Sequence, residues 1–245
     1  MKYSFYKFGN YKIYLEGGKE KVTGVSQSSK ILSGIIPSLY NLEVVDLGCG
    51  IGYMSIGALL LGAKKVIAVD TEDIEKILRR NIKINNFRQE QLIFIKSDLF
   101  SNFPKSIKCD VIIANLPQHA LPATPSAKML KGKYGGYDGT DLICKALTEG
   151  VYYLRQGGKF FGAISKLTNF RRTLSIASSL YEMKIHDNIQ KVLRRNEMKP
   201  YVDYLELLRH LKGLKKEGLI EYIGDGLKRP IKYTVYLCEF IKKFS

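Results

Sequence analysis

The sequence predicts an α/β fold in which parallel strands alternate with helices, and three observations support this class. Residues 43–52 read E-V-V-D-L-G-C-G-I-G, an apolar strand that leads into three glycines at alternate positions. A helical apolar pattern follows from Met54 to Leu59. Two further apolar strands, at 65–70 and 92–95, are separated by a helical pattern, and each is closed by an acidic residue. Strands that alternate with helices are typical of a parallel sheet.

The length and composition fit one such domain with an addition, or two small domains. The chain has 245 residues, of which 45% are hydrophobic, which is enough for a substantial core. No apolar run approaches the roughly 20 residues that a membrane helix needs. The N-terminus lacks the apolar core of a signal peptide, so we expect a cytoplasmic protein without a membrane partner. The cysteines form no C-x-x-C pair and are expected to be reduced rather than to bind zinc: Cys49, Cys109, Cys144 and Cys238.

The formal net charge of +16 indicates a polyanionic partner, because lysine and arginine neutralise phosphates. The alternative is that lysine simply covers the solvated surface. Charge therefore leaves RNA or the ribosome open as a partner. The basic pairs are scattered along the chain: Arg171–Arg172, Arg194–Arg195, Lys215–Lys216 and Lys228–Arg229.

The N-terminal 40 residues precede the predicted sheet. Residues 3–22 alternate aromatic and polar side chains around two glycine turns, which predicts a β-hairpin. A helix should follow, capped by Ser28 or Ser29, with an apolar face that runs from Ile31 to Leu39 and is interrupted by Pro37.

The glycine turn predicts a nucleotide-type site built largely from the main chain. Gly48, Gly50 and Gly52 allow backbone conformations that a Cβ would forbid, and the helix after them offers unpaired N–H groups. The spacing differs from the G-x-G-x-x-G of a dinucleotide site, and Asp46 stands two residues before the first glycine. A plain strand-to-helix turn, or an NAD site with a different loop, remains an alternative.

The ends of the next two strands should lie beside this turn, since ligands of parallel sheets bind at the carboxyl ends of strands. Asp70 could accept hydrogen bonds from both hydroxyls of a ribose, with Thr71 next to it. Capping of the following helix, expected over 72–85, is a compatible role for either residue. Asp98 is suited to accept the exocyclic amine of adenine, and Leu99 to form a wall for the ring.

The run D-x-G-x-G-x-G, followed by two strands closed by Asp70 and Asp98, resembles class I S-adenosylmethionine-dependent methyltransferases. The resemblance implies a Rossmann-like sheet of seven strands with helices on both faces, and S-adenosyl-L-methionine as cofactor. It also places the segment 23–27 where such enzymes often carry cofactor-contacting residues, although an ordinary loop is an equal alternative there.

The fourth predicted strand, 109–114, ends in Asn115-Leu116-Pro117-Gln118. This tetrapeptide resembles the N-P-P-Y motif of methyltransferases that modify planar nitrogens. Residues 135–141, G-G-Y-D-G-T-D, resemble the G-G-x-D-G-x-D segment of the protein glutamine N5-methyltransferases that act on release factors and ribosomal protein. Leu116 replaces a proline, and Gln118 replaces the aromatic residue that stacks on the acceptor.

The resemblance implies roles for these residues. Asn115, which also borders the cofactor, and the Pro117 carbonyl would accept the two N–H groups of the acceptor nitrogen. Gln118 could hydrogen-bond the acceptor in place of stacking on it. His119 could take the proton, although packing or surface exposure is its more common fate. A methylated RNA or DNA base, or a cofactor-binding scaffold without turnover, remains an alternative to a glutamine amide of a protein or peptide.

The remaining residues complete the sheet and contain one long insertion. Strands are expected at 159–165, 183–193 and 233–240, the last antiparallel, with helices at 142–154 and 169–181. The stripe of Tyr201, Leu205, Leu208 and Leu211 predicts an amphipathic helix in the insertion, and residues 215–222 weakly resemble a winged helix. The predicted organisation is an N-terminal hairpin and helix (1–40), a methyltransferase core (41–197 and 231–245) and an insertion that shapes the substrate site (198–230).

Overall fold

Seven strands form one mixed sheet in a computed structural model that describes residues 3–17, 25–128, 132–193, 195 and 203–244. A separate hairpin of β1 (Tyr3–Phe8) and β2 (Tyr11–Glu16) precedes it, as the aromatic alternation predicted. The strands of the sheet are β3 (Glu43–Leu47), β4 (Lys65–Asp70), β5 (Leu92–Lys96), β6 (Cys109–Ala114), β7 (Leu154–Ser165), β8 (Tyr181–Val192) and β9 (Lys232–Lys242). The helices are α1 (Gln27–Leu32), α2 (Tyr53–Leu60), α3 (Glu75–Ile84), α4 (Pro125–Lys128), α5 (Asp141–Tyr153), α6 (Phe170–Leu180) and α7 (Tyr204–Lys216).

The strand order is β5-β4-β3-β6-β7-β9-β8, and the pairs from β5 to β7 are parallel. β3 has β4 on one side and β6 on the other, so the direction of chain progression reverses beside it. Leu47 pairs in register with Val69 and with Ala114, which places the ends of these three strands at one level. A topological switch point of this kind is where open α/β sheets bind their ligands.

The chain divides into two compact units. Unit 1 comprises Met1–Asn115, Glu149–Gly162 and Glu239–Ser245, and unit 2 comprises Leu116–Thr148 and Ala163–Cys238. The predicted boundaries at residues 40, 197 and 230 follow sequence patterns rather than these contacts, and that division stays a prediction. Among the described residues no helix is long and apolar enough to cross a membrane.

The core of unit 1 explains the two most apolar stretches of the chain. All residues of β3 after Glu43 are buried, and α2 is buried from Tyr53 to Leu59, so neither element needs a polar face. The hairpin packs on α2 so closely that a Cβ at Gly57 would lie 1.9 Å from the Phe8 ring. Asn81 is fully buried; its side-chain oxygen accepts from the Glu16 N–H at 2.7 Å, and its amide nitrogen donates to the Ile51 carbonyl at 2.9 Å.

Several predicted helix boundaries were wrong for local reasons. The cap of α1 is Ser26, whose hydroxyl oxygen accepts from the Ser29 N–H at 3.0 Å, so Ser28 and Ser29 lie inside the helix. That helix ends at Leu32 and tightens into a 3-10 turn before Pro37. α3 begins at Glu75 after an N-cap at Ile74, so neither Asp70 nor Thr71 caps it.

The insertion contains the predicted helix with a rotated apolar face. α7 starts at Tyr204 with Asp203 as its cap, and its buried residues are Tyr204, Leu207, Leu211 and Leu214. Leu205, assigned to the apolar stripe from the sequence, is 54% exposed, and Tyr201 lies outside the described residues. After the helix, Ile223 forms one isolated antiparallel bridge with Lys232, and the weak resemblance to a winged helix stays a prediction.

Candidate active site

The glycine turn after β3 is held by the end of β4. The N–H groups of Gly48 and Cys49 both donate to the Val69 carbonyl, at 2.8 and 3.0 Å. Gly48, Gly50 and Gly52 all have positive φ values, of 71°, 50° and 88°, which only glycine adopts at low cost. The sequence therefore needs glycine at each alternate position for the chain to turn into α2.

The last two glycines differ in what surrounds them. A Cβ at Gly52 would lie 2.6 Å from the Leu78 side chain, so this position needs glycine for packing as well. A Cβ at Gly50 would meet no atom within 4 Å. Gly50 therefore borders open space, and its backbone can be approached closely by a ligand.

Asp70 connects this open position to the end of β4. Its Oδ2 accepts from the Gly50 N–H at 2.9 Å, and its Oδ1 accepts from the Glu72 N–H at 3.0 Å. Each carboxylate oxygen has a second lone pair, so both can also accept a hydroxyl proton. Thr71, the neighbouring predicted residue, is exposed.

Asp46 lies beneath the turn rather than in the open space. It is 2% exposed, and its Oδ2 accepts a hydrogen bond from the Ser55 hydroxyl at 2.6 Å. The pKa of Asp46 is raised to about 7, mainly by burial and in addition by the nearby charge of Asp70, while the Ser55 hydrogen bond opposes the shift. In this structure Asp46 joins β3 to the first turn of α2.

The loop after β5 presents one carboxylate and one apolar side chain. Asp98 is exposed, whereas Leu99 is 5% exposed with a φ of 51°. A left-handed conformation costs a leucine about 1 to 2 kcal/mol. Strain of this size is retained when the surroundings determine the conformation, and it is concentrated at functional sites. The backbone here is held by the Asp98 carbonyl, which accepts from both the N–H and the hydroxyl of Ser101.

Asn115, at the end of β6, is bound to the start of α1. Its side-chain nitrogen donates to the hydroxyl oxygens of Ser26, at 3.0 Å, and Ser29, at 2.7 Å. Both N–H bonds are thereby used, and no hydrogen bond within the described ranges ends on the Asn115 side-chain oxygen. The sequence placed Ser26 in the predicted cofactor segment 23–27 and offered Ser29 as a helix cap, but no local signal indicated that either serine contacts Asn115. Thr23 and Gly24 of the predicted cofactor segment lie outside the described residues.

Pro117 and Gln118 belong to unit 2, where the Gln118 side chain binds the end of β7. Its amide nitrogen donates to the Ala163 carbonyl, and its amide oxygen accepts from the Ser165 N–H at 3.2 Å. The glycine-rich segment packs against the same motif, because a Cβ at Gly135 would lie 2.7 Å from the Gln118 Cα and 2.9 Å from the Pro117 oxygen. The Pro117 carbonyl accepts no hydrogen bond from the residues that the structure describes.

The backbone of His119 is hydrogen-bonded to residues 133 and 135, next to the glycine-rich segment. Its N–H donates to the Lys133 carbonyl, and its carbonyl accepts from the Gly135 N–H, both at 3.0 Å. Leu116, the other departure from the family motif, is buried. Residues 117–119 and the glycine-rich segment thus form one bonded arrangement within unit 2.

Asp138 organises the remainder of the glycine-rich segment. It accepts hydrogen bonds from the Thr140 N–H, the Thr140 hydroxyl and the Asn169 amide, and Arg172 lies 3.5 Å away. Although burial acts to raise the pKa of Asp138, the hydrogen bonds from Thr140 and Asn169 lower it overall. An ionised Asp138 therefore fixes the loop that packs against Pro117 and Gln118.

Within unit 1, the residues beside the glycine turn offer open space and carboxylate acceptors. Open space at Gly50 leaves room for the ligand, Asp70 offers two acceptors beside it, and Asp98 is an exposed carboxylate at a strand end on the same side of the sheet. Within the described chain no cluster of His, Cys, Asp or Glu has metal-binding geometry.

Comparisons with known proteins identify relatives of this chain. Residues 29–131 match the family model of the ribosomal protein L11 methyltransferase. A protein of Methanocaldococcus jannaschii named "Putative protein N5-glutamine methyltransferase" is 32% identical over 172 residues, which cover 66% of this chain and 84% of the relative. The chain belongs to the S-adenosylmethionine-dependent methyltransferases. The methyltransferase is also 35% identical to the ribosomal protein L11 methyltransferase of Thermoanaerobacter pseudethanolicus, over 42% of this chain but only 33% of that protein.

The methyltransferase shares its fold with solved enzymes of distant sequence. The 16S rRNA N2 G1207 methyltransferase of T. thermophilus, solved with AdoMet and guanosine, superposes with a TM-score of 0.55 at 16% identity, over 99% of this chain and 50% of that one. The predictions of a seven-stranded Rossmann-like sheet, of an enzyme and of S-adenosylmethionine as cofactor are confirmed. The NAD site and the scaffold without turnover are therefore set aside.

Proposed function

We propose that this methyltransferase acts on a planar nitrogen, the side-chain amide of a glutamine in a protein or peptide. The observation that carries the proposal is the orientation of Asn115: Ser26 and Ser29 hold its NH₂ group, which leaves its carbonyl oxygen to accept a hydrogen bond from another molecule. The motif of residues 115–118, the segment 135–141 and the name of the M. jannaschii relative all support the same acceptor class.

S-adenosylmethionine supplies an electrophilic methyl group when it is bound. An amide nitrogen is a poor nucleophile because its lone pair is delocalised into the carbonyl group. The Asn115 oxygen would accept one N–H of the acceptor amide, and the carbonyl of Pro117, two residues later in the chain, would accept the other. Two such bonds fix the nitrogen in one orientation and stabilise the positive charge that develops on it.

Pro117 suits this role because its carbonyl accepts no other hydrogen bond from the described residues. Gln118 is less suited to hydrogen-bond the methyl acceptor directly, the role that the sequence suggested for it. Both ends of its amide already bind β7, so we assign it the role of an anchor that positions Pro117. His119 remains a candidate to receive the proton.

For the cofactor we propose that Asp70 binds the ribose hydroxyls, with Thr71 beside it, and that Asp98 and Leu99 contact the adenine. Gly48, Gly50 and Gly52 would form the turn that approaches the cofactor, and Asp46 would support that turn from below through Ser55. The insertion at 198–230 would shape the acceptor side.

Labelled cofactor offered to fractionated cell extract tests the proposal. We expect label in protein, and mass spectrometry should find the added methyl group on a glutamine side chain. Asn115→Ala should abolish the labelling while the Kd for the cofactor rises by about tenfold at most, because one lost contact contributes about 0.5 to 1.5 kcal/mol. Asp70→Ala should instead weaken cofactor binding. Label that appears in RNA or small molecules but not in protein would contradict the glutamine acceptor.

An exocyclic amine of an RNA or DNA base is the second candidate. The observation in its favour is the net charge of +16 together with the exposed basic side chains of α7 at Arg209, Lys212 and Lys216. If these residues bind phosphates, affinity for RNA should fall steeply with salt. RNA binding that is independent of salt would remove the support for this candidate.

A further inference from the structure

We infer that Tyr137 supplies the aromatic surface against which the acceptor amide stacks, in place of the aromatic residue that is missing at position 118. The inference rests on the proposed function, since it concerns the acceptor of that reaction. It assigns to the glycine-rich segment a direct contact with substrate in addition to its structural role.

The first step is the position of Tyr137 in the chain. Two residues before it, Gly135 packs against the Pro117 oxygen and the Gln118 Cα. Two residues after it, a Cβ on Gly139 would lie 2.9 Å from the Gln118 carbonyl oxygen and 3.0 Å from the Ala120 nitrogen. The loop is therefore fastened to the acceptor motif on both sides of Tyr137, and this side chain stands at the middle of that attachment.

The second step is that the ring is exposed although its backbone is fixed. Tyr137 is 54% exposed, so more than half of this large aromatic side chain faces solvent. Its neighbour Asp138 is held by Thr140 and Asn169, so the loop cannot easily turn the ring inward. An exposed ring on a fixed backbone is prepared to contact another molecule at little cost in conformational entropy.

The third step is the contact with α7 that orients the ring. His210 lies with its ring 4.6 Å from that of Tyr137 at an interplanar angle of 77°. Its Nε2 is 2.8 Å from the Tyr137 carbonyl oxygen, and because a carbonyl can only accept, this nitrogen carries the proton. A perpendicular neighbour covers at most one face of the phenol ring, which leaves the other face open. His210 is thus a positioning residue supplied by the insertion.

The fourth step concerns charge. The carboxylates nearest in the loop, Asp138 and Asp141, lie 3.5 and 3.9 Å from the Arg172 guanidinium. They are compensated within unit 2, so the segment around Tyr137 does not call for a cationic partner. A neutral planar group such as an amide can therefore stack on the exposed ring without a charged partner beside it.

Two variants of Tyr137 separate the aromatic contact from the fold of the loop. Tyr137→Phe keeps the ring, and Tyr137→Leu removes the aromatic face while retaining an apolar side chain. We expect the phenylalanine variant to keep kcat/KM for the protein acceptor within about twofold and the leucine variant to lose about threefold to tenfold, the range of an aromatic contact. The Kd for S-adenosylmethionine should not change in either, and Tyr40→Leu, which alters a ring that is 82% exposed elsewhere, should behave as the parent.

His210 gives an independent readout of positioning. His210→Ala should raise KM for the acceptor, whereas His210→Gln, which can still donate to the Tyr137 carbonyl, should restore part of the loss. A leucine variant with the parent's kcat/KM would overturn the inference while the proposed function stands. If the parent labels RNA instead of glutamine, the proposed function fails. The labelling of RNA by Tyr137→Phe and Tyr137→Leu then tests the aromatic contact by itself, and equal labelling by the two variants would overturn the inference. Label in neither pool overturns both.

Discussion

The side-chain nitrogen of Asn115 lies 2.7 Å from the Ser29 hydroxyl oxygen, and this contact orients the amide at the end of β6. The residue is otherwise free to rotate by half a turn and to present its NH₂ group in place of its oxygen. A methyl acceptor with two N–H groups needs an oxygen there. With its NH₂ group placed on the two serines, Asn115 would meet the acceptor with its oxygen.

Removing the Ser29 hydroxyl should lower turnover rather than cofactor affinity. Ser29→Ala deletes one of the two acceptors that hold the Asn115 amide, so we expect kcat to fall about threefold to tenfold, which corresponds to the 0.5 to 1.5 kcal/mol of a typical hydrogen bond. Steady-state kinetics and calorimetry of cofactor binding measure the two effects. Ser175→Ala, on an exposed position of α6, is the matched control. Loss of cofactor binding with unchanged kcat would contradict the proposed role of Asn115.

Matched alanine variants of Gly50 and Gly52 can separate the packing role of the glycine turn from its role beside the open space. Gly52→Ala introduces a Cβ 2.6 Å from Leu78 at a φ of 88°, so it should destabilise the fold by about 2 to 4 kcal/mol through strain and overpacking. Gly50→Ala has space for its Cβ, so only the backbone cost of about 1 kcal/mol applies.

For cofactor affinity we expect the opposite ranking: Gly50→Ala should weaken cofactor binding more than Gly52→Ala, because only the Gly50 position borders open space. Denaturant unfolding gives the free energies, and titration with S-adenosylmethionine gives the affinities. Equal stability of the two variants would show that Leu78 can move aside.

The contribution of the Gln118 amide to the stability of unit 2 should be measurable. Gln118→Ala removes two hydrogen bonds and should cost about 1 to 3 kcal/mol of unfolding free energy. Gln118→Glu retains an oxygen for the Ser165 N–H but sets a carboxylate oxygen against the Ala163 carbonyl, so above the carboxylate pKa it should be no more stable than the alanine variant. An alanine variant with the parent's stability but no acceptor affinity would instead assign Gln118 a direct contact with substrate.

The raised pKa of Asp46 predicts a pH dependence of stability in the absence of cofactor. The folded protein retains a proton on Asp46 up to a pKa of about 7, whereas the unfolded chain releases it near the ordinary value of 3.8. The resulting stabilisation is complete below the unfolded pKa and is lost as the pH rises through the folded pKa.

Asp46→Asn does not titrate, so its unfolding free energy should rise relative to the parent from about pH 5 to about pH 8. Urea unfolding across this range measures the difference. A constant difference would mean that Asp46 is already ionised at pH 5.

The sequence by itself determined the sheet and the class of cofactor. Apolar runs, glycines and acidic strand ends are local signals, because each strand is closed by its own residue and each glycine meets a conformational demand of its own turn. For this reason the sequence alone placed Asp46, Gly48, Gly50, Gly52, Asp70 and Asp98 in or beside the strand ends and the turn, while their contacts with the cofactor stay a prediction. The same local signals misplaced the ends of α1 and α3 and the apolar face of α7, because helix ends and helix rotation depend on what packs against them.

Only the tertiary structure decided which polar atoms are used in internal hydrogen bonds and which can bind another molecule. The contact of Asn115 with Ser26 and Ser29 joins residues more than 80 positions apart, and Gln118 reaches Ala163 and Ser165 across more than 40. No periodicity or motif records such a pairing, because a hydrogen bond between distant residues depends on where the fold brings the chain together. The direction of the Asn115 oxygen, the anchoring role of Gln118 and the open face of Tyr137 follow from that long-range geometry.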